Sequence, residues 1–297
     1  KNATKYERRE AERADEESFR AVVDEYAKKP KLAAAEEVVP RPSPRCNASL
    51  TAHPAKEELL LFGGEIFDGR RSTLYADLFR YSLKRAEWRV VRSAPCPPPR
   101  ASHQAVAVPA GAGTLFVFGG EYSSPTQTQF YHYKDLWALD LATMEWTKVE
   151  AKGGPPARSG HRMVLAKDHL AVFGGFFDNL RDVKYYNDLH LFDLSLYRWS
   201  RVAVEPGASV PLPRSGHQLA SHGDLLIVYG GYFKRKAVTK QFNSHAGKSG
   251  GQGGEEEEDL EVGHEFKDMW LYDMSRGGWR TAKRSGRPPS QRSGFAM

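Results

Sequence analysis

The chain has 297 residues, a net charge of +6, and only two cysteines. That length suits one large domain with a short leader, and two thiols, Cys46 and Cys96, make neither a disulfide framework nor a metal set. The charge is modest and no basic stripe interleaves with aromatics, so nucleic-acid binding is not expected. No apolar run approaches the roughly 18 residues of a membrane span, and no signal-peptide pattern opens the sequence. The expected setting is cytoplasmic, possibly nuclear, with both thiols reduced.

Residues 1–40 are charge-dense, nine basic against ten acidic. Phe19, Val22, Val23 and Tyr26 fall at i, i+3, i+4 and i+7, which predicts one apolar face of an amphipathic helix. Such a helix is expected to pack on the body of the protein or on a neighbour. Pro40, Pro42 and Pro44 end the helical segment and mark the domain boundary.

From residue 41 to 297 one sentence is written four times, about every 56 residues, and a period in this range is the signature of a repeat architecture. Arg45, Arg100, Arg158 and Arg214 open the copies. Each apolar run then ends in a glycine pair: Gly63–Gly64, Gly119–Gly120, Gly174–Gly175 and Gly230–Gly231. Asp77, Asp135, Asp188 and Asp268 follow, and Trp88, Trp146, Trp199 and Trp279 each stand 11 residues later, so the units share one register.

Within a unit, runs such as 160–166 and 169–173, joined by two residues, read as a hairpin. The stretch from the Asp and the stretch around the Trp read as two further strands. Four short strands make a small twisted sheet whose two apolar faces need cover, and radial stacking supplies it. The Gly pairs suit a crowded inner strand end, and each Trp is expected to wedge between adjacent sheets. A fifth unit has only begun, at Gln291–Met297.

The fourth unit departs from the pattern. From the first Gly of the pair to Asp takes 14, 16 and 14 residues in the first three units but 38 in the fourth, an insertion at about 233–264. Its Lys-Arg-Lys, Gly-rich and poly-Glu composition predicts disorder.

The combination of Arg-Ser-Gly-His, apolar-Gly-Gly, Asn-Asp-Leu and Trp resembles the kelch repeat. The resemblance implies an all-β fold, a kelch-type β-propeller of four complete four-stranded blades and the start of a fifth. Kelch rings usually have six blades, so the chain is expected to be cut from a longer protein. The resemblance further implies a non-enzymatic scaffold for protein partners, with no cofactor and no small-molecule substrate. Substrate recruitment to a ubiquitin ligase is the alternative, although no dimerising domain fits in the first forty residues. Some kelch propellers are copper radical oxidases, but here neither cysteine has a Tyr or His partner in sequence.

His103, His161 and His217 share one repeat position with Ala48 and Phe295, so they read as structural rather than as metal ligands. The recurrent Asp residues read as backbone-binding rather than catalytic. No catalytic residue is expected. Ala246-Gly247-Lys248-Ser249 mimics the end of a phosphate loop, but the required first Gly would fall at Phe242. The loops after the Gly pairs and the joints between blades emerge at one end of the ring, where rigid scaffolds place function. The expected partner-binding residues there are Phe67, Arg70, Tyr122, Gln127, Phe177, Asn179, Arg181 and Lys234, with the inter-blade Arg100, Arg158 and Arg214. Aromatics and Arg are enriched in binding hot spots.

Overall fold

The structure is a computed structural model, and it describes residues 5–127, 129–179, 183–241, 256–283 and 285–295. One helix, α1 (Lys5–Lys28), precedes the sheets. Blade 2 runs from its inner strand Gln104–Val108 through Thr114–Phe118 and Leu136–Asp140 to the outer Trp146–Val149. Blade 3 repeats this order with Arg162–Ala166, His169–Phe173, Leu189–Asp193 and Arg198–Arg201. Gln218–His222, Leu225–Tyr229, Met269–Asp273 and Trp279–Thr281 form blade 4 in the same way. These pairings are antiparallel, and the sheets stack as blades of a propeller.

The seams between blades hold the apolar core. Trp146 lies 5.2 Å from Phe62 of the blade before it, Trp199 5.4 Å from Phe118, and Trp279 5.1 Å from Phe173. Each ring pair joins the outer strand of one blade to the second strand of its predecessor, as the wedge requires. Trp88 packs on Tyr81 and Phe79 of its own sheet. Burying an indole contributes roughly 4–6 kcal/mol before entropy is counted.

Near the axis the seams close through the backbone. The N–H of Ser102 donates to Asn47 O, Gly160 to Ser102 O, Gly216 to Gly160 O and Gly294 to Gly216 O, at 2.8–3.2 Å. This chain of bonds runs across five successive units and explains why all five residues sit at φ of 55–63°. The Gly pairs serve the same crowding. Gly119 has φ of 64°, and a Cβ there would come within 2.8 Å of both Arg158 O and the His161 ring. Histidines of one blade therefore occupy the space a side chain would need in the blade before.

Three sequence expectations are corrected. Residues 32–39, assigned to the helical leader, form a fifth strand on blade 1, Leu32–Val39 against Glu87–Ala94. No local pattern signals it, because the pairing partner lies more than fifty residues away; Arg80 cements it by bonding both Glu36 and Glu58. The loops after the Gly pairs are themselves two-stranded ribbons: Glu65–Phe67 with Ser72–Leu74, Glu121–Ser123 with Phe130–His132, and Phe176–Asp178 with Val183–Tyr185. The insertion expected to be disordered contributes the fourth and longest ribbon, Tyr232–Gln241 against Glu256–Glu265. Its register pairs Tyr232 with Glu265 and Gln241 with Glu256. Residues 242–255, the centre of the insertion, lie outside the described residues, as does the phosphate-loop look-alike.

Candidate partner-binding crown

The four ribbons stand side by side above the blades and touch in sequence. Ser72 N–H donates to Pro125 O at 2.8 Å and Gln127 Nε2 to Ser72 Oγ at 2.7 Å, tying the first ribbon to the second. Asp178 N–H donates to His132 Nε2 at 3.0 Å, and the same imidazole packs against Phe176 and Phe177, tying the second to the third. Tyr185 meets Phe233 edge-on at 5.2 Å, tying the third to the fourth. Together they form a crown at one end of the propeller.

Chemistry varies around this crown although the scaffold repeats. The residue after the second Gly is Glu65, Glu121, Phe176 or Tyr232 in successive units. In the second unit this residue is Glu121. Burial raises its carboxyl to about 7, partly offset by the 2.7 Å hydrogen bond it accepts from Ser159 Oγ. Facing it across the ribbon, His132 is held neutral because burial drops its pKa to about 4. Its Nε2 lies 3.0 Å from Asp178 N and 3.1 Å from Asp178 O, and its Nδ1 lies 3.7 Å from Glu121 Oε2. Between about pH 4 and 7 the pair couples blade 2 to blade 3 through mostly uncharged groups.

The expected site residues divide into two groups. Phe67, which is 52 % exposed, Arg70, Gln127, Asn179 and Lys234 lie exposed on the crown. Half-buried Phe177 packs on His132, and half-buried Tyr122 lies under α1. Arg181 lies outside the described residues. Arg100, Arg158 and Arg214 do not belong to a binding face: all three are fully buried. Each guanidinium forms a fork with the Asp of its own unit, Asp135, Asp188 or Asp268, at 2.6–3.0 Å. Each also donates to the first Gly carbonyl of its own blade and lies over an aromatic ring, Tyr133, Tyr186 or Phe266, at 3.9–4.1 Å. Their own carbonyls accept from the second Gly of the preceding blade. A guanidinium so enclosed presents no surface to a partner.

Burial alone would raise these carboxyls, but the arginine charge and its hydrogen bonds outweigh it and hold all three below the usual range. A further support was unforeseen: the residue two after each Asp donates to it, through Trp137 Nε1, His190 Nε2 or Trp270 Nε1, at 2.7–3.1 Å. In the first unit this position is Phe79, and the Arg45–Asp77 pair is longer, at 3.5 Å. The histidines at the shared position are buried and depressed by desolvation, His103 to about 3 and His161 and His217 well below their ordinary value. They pack edge-on against Phe62, Phe118 and Phe173 at 5.2–5.3 Å.

Residues 27–231 match the family described as the KLHDC2/KLHL20/DRC7 Kelch-repeats domain. The chain belongs to that kelch-repeat family. Among curated relatives it is 29% identical over 189 residues to acyl-CoA-binding domain-containing protein 5 of Arabidopsis thaliana, covering 63% of this chain and 27% of that protein. It is 28% identical over 212 residues to host cell factor homolog hcf-1 of Caenorhabditis elegans, covering 64% of this chain and 26% of the relative. Tip elongation aberrant protein 1 of Schizosaccharomyces pombe is 32% identical over 134 residues, 45% of this chain and 11% of its own length. The kelch-family chain thus spans about a quarter or less of these relatives. The structure of YjhT superposes with a TM-score of 0.54 at 15% identity, covering 86% of this chain and 68% of the other, and shares the fold.

Several crown residues carry no repeat signature. His132, Ser72, Pro125 and Phe233 are contacts between ribbons, invisible without the ribbons themselves. The aromatic run Phe130-Tyr131-His132-Tyr133 was the one signal in sequence that this segment differs from its counterparts.

Proposed function

We propose that this kelch chain is a non-enzymatic scaffold that captures a protein partner on the ribbon crown. The observation that carries the reading is the contrast within each repeat: seam residues recur, whereas crown residues differ from unit to unit and include the exposed Phe67, Arg70 and Asn179. Phe67 and Arg70 on the first ribbon and Phe177 and Asn179 on the third supply the aromatic and polar contacts that such interfaces favour. Residues 129–137, 154–164 and 185–188 resemble kelch domain-containing protein 4, which favours an intracellular scaffold over an enzyme. A recruiting role in a ubiquitin ligase is a narrower form of the same reading, in which ligase components co-purify with the chain.

Proximity labelling with the chain, wild type against Phe67→Ala/Arg70→Ala and Phe177→Ala/Asn179→Ala, tests the proposal. Labelled proteins that disappear with both crown variants support it. An unchanged labelling profile in both variants contradicts it.

A further inference from the structure

Helix α1 does not lie free beside the propeller. The Phe19 ring enters a nest of three tyrosines on the second ribbon and its exit: it stacks on Tyr131 at 4.4 Å with planes 2° apart, and meets Tyr133 at 5.5 Å and Tyr122 at 5.8 Å. The helix therefore covers part of the crown. Two features distinguish it from an integral element. First, the kelch match begins at residue 27, so nearly all of α1 precedes the repeat domain. Second, α1 fills its trough incompletely. A groove of about 490 Å³ runs along one flank, lined by Phe19, Val23, His132 and Trp199, and another of about 400 Å³ along the other, lined by Val22, Tyr26 and Tyr122.

Among the described residues of α1, charged groups pair with one another. Arg13 pairs with Glu17, Arg20 with Glu16, Lys28 with Asp24 and Lys29 with Glu25, all at i, i+4 spacing. Such pairs support the helix itself and do not depend on what lies beneath it. What anchors α1 to the crown is thus the apolar line Phe19, Val22, Val23 and Tyr26. Beyond Pro30 the chain joins the edge strand Leu32–Val39, which is held to blade 1 by its own ladder. A helix that precedes the matched repeat domain and is seated by one short apolar line is built to exchange.

We propose that the Tyr122–Tyr131–Tyr133 nest is a docking seat for an amphipathic helix of a partner protein with one aromatic side chain in the Phe19 register, and that α1 is its resident competitor. This rests on the reading of the crown as the partner face and names the class of partner. The resident helix shows the shape the seat accepts, and such grooves read helices by anchors at i, i+3, i+4 and i+7. While α1 is seated, the apparent affinity for an incoming helix is reduced by the fraction of open crown.

The probe is a fluorescent peptide of residues 5–28, titrated by anisotropy against the full chain and against Phe19→Ala in the full chain. The expected result is binding at least tenfold tighter to F19A than to wild type, lost when the peptide itself carries Phe19→Ala. Equal affinity for both proteins, no binding to either, or binding indifferent to the peptide's own Phe19 would overturn the proposal. So would concentration-dependent dimerisation of the wild type that F19A abolishes, because the occupant would then be a second copy. Because the peptide assay needs no cellular partner, peptide exchange alongside unchanged proximity labelling separates failure of the scaffold reading from failure of this one.

Discussion

The seams and the crown are built by the same repeats yet obey different constraints. At a seam, every unit must place Arg, Asp, Gly-Gly and Trp in one geometry, because each blade is the template for the next. On the crown, equivalent positions hold Glu65, Glu121, Phe176 and Tyr232, and ribbon strands range from three to ten residues. The difference teaches that repetition fixes packing and leaves the ribbon tips open to individual chemistry. Even within the seams the first unit is weaker: Asp77 is 42% exposed where Asp188 is 11%, and the Trp88 ring contacts lie within its own sheet.

Breaking a seam is expected to have the largest effect. Arg158→Ala leaves Asp188 buried without its cation and should cost about 3–5 kcal/mol in urea unfolding. Arg45→Ala removes a longer, partly exposed pair and should cost about 1 kcal/mol or less. Equal losses would mean that the fork geometry is not what holds the blades. Trp199→Ala should likewise cost about 3–5 kcal/mol, and Trp88→Ala clearly less, by the same measurement.

Glu121 sharpens the comparison at the boundary between the two regions. Its folded pKa of about 7 lies above the ordinary 4.5, so its contribution to stability declines as pH rises from about 4.5 to 7 and is level above that. Glu121→Gln should therefore match wild type near pH 4.5 and exceed it by roughly 1–3 kcal/mol at pH 8. The seam histidines act with the opposite sign. Their pKa values are depressed, so unfolded chains take up protons that folded chains refuse, and stability falls as pH drops below about 6.5. Thermal unfolding across pH 4–8 checks both. The smallest stability effect belongs to the crown tips, where Phe67→Ala/Arg70→Ala should stay within about 0.5 kcal/mol of wild type.

Much of the propeller was legible because its physics is local and repeated. The constant step from Asp to Trp exposed the register, and the Gly pairs marked strand ends where a neighbouring histidine leaves no room for Cβ. The buried role of Arg100, Arg158 and Arg214 was not legible as fact: recurrence is compatible with a tie or a contact, and only the fork to Asp decides. The edge strand Leu32–Val39 and the long fourth ribbon escaped because both depend on pairing with distant partners rather than on their own composition. The seat of Phe19 was half visible. Its helical face could be read, but the tyrosines it meets lie about a hundred residues away.

The most direct test of the whole account joins stability and capture in one pair of variants, Arg158→Ala and Phe67→Ala/Arg70→Ala. Unfolding midpoint and partner labelling are measured on both. The account predicts that the arginine variant loses stability, while the crown variant loses labelled partners with its midpoint nearly unchanged. A crown variant that keeps its partners, or an arginine variant as stable as wild type, would contradict it.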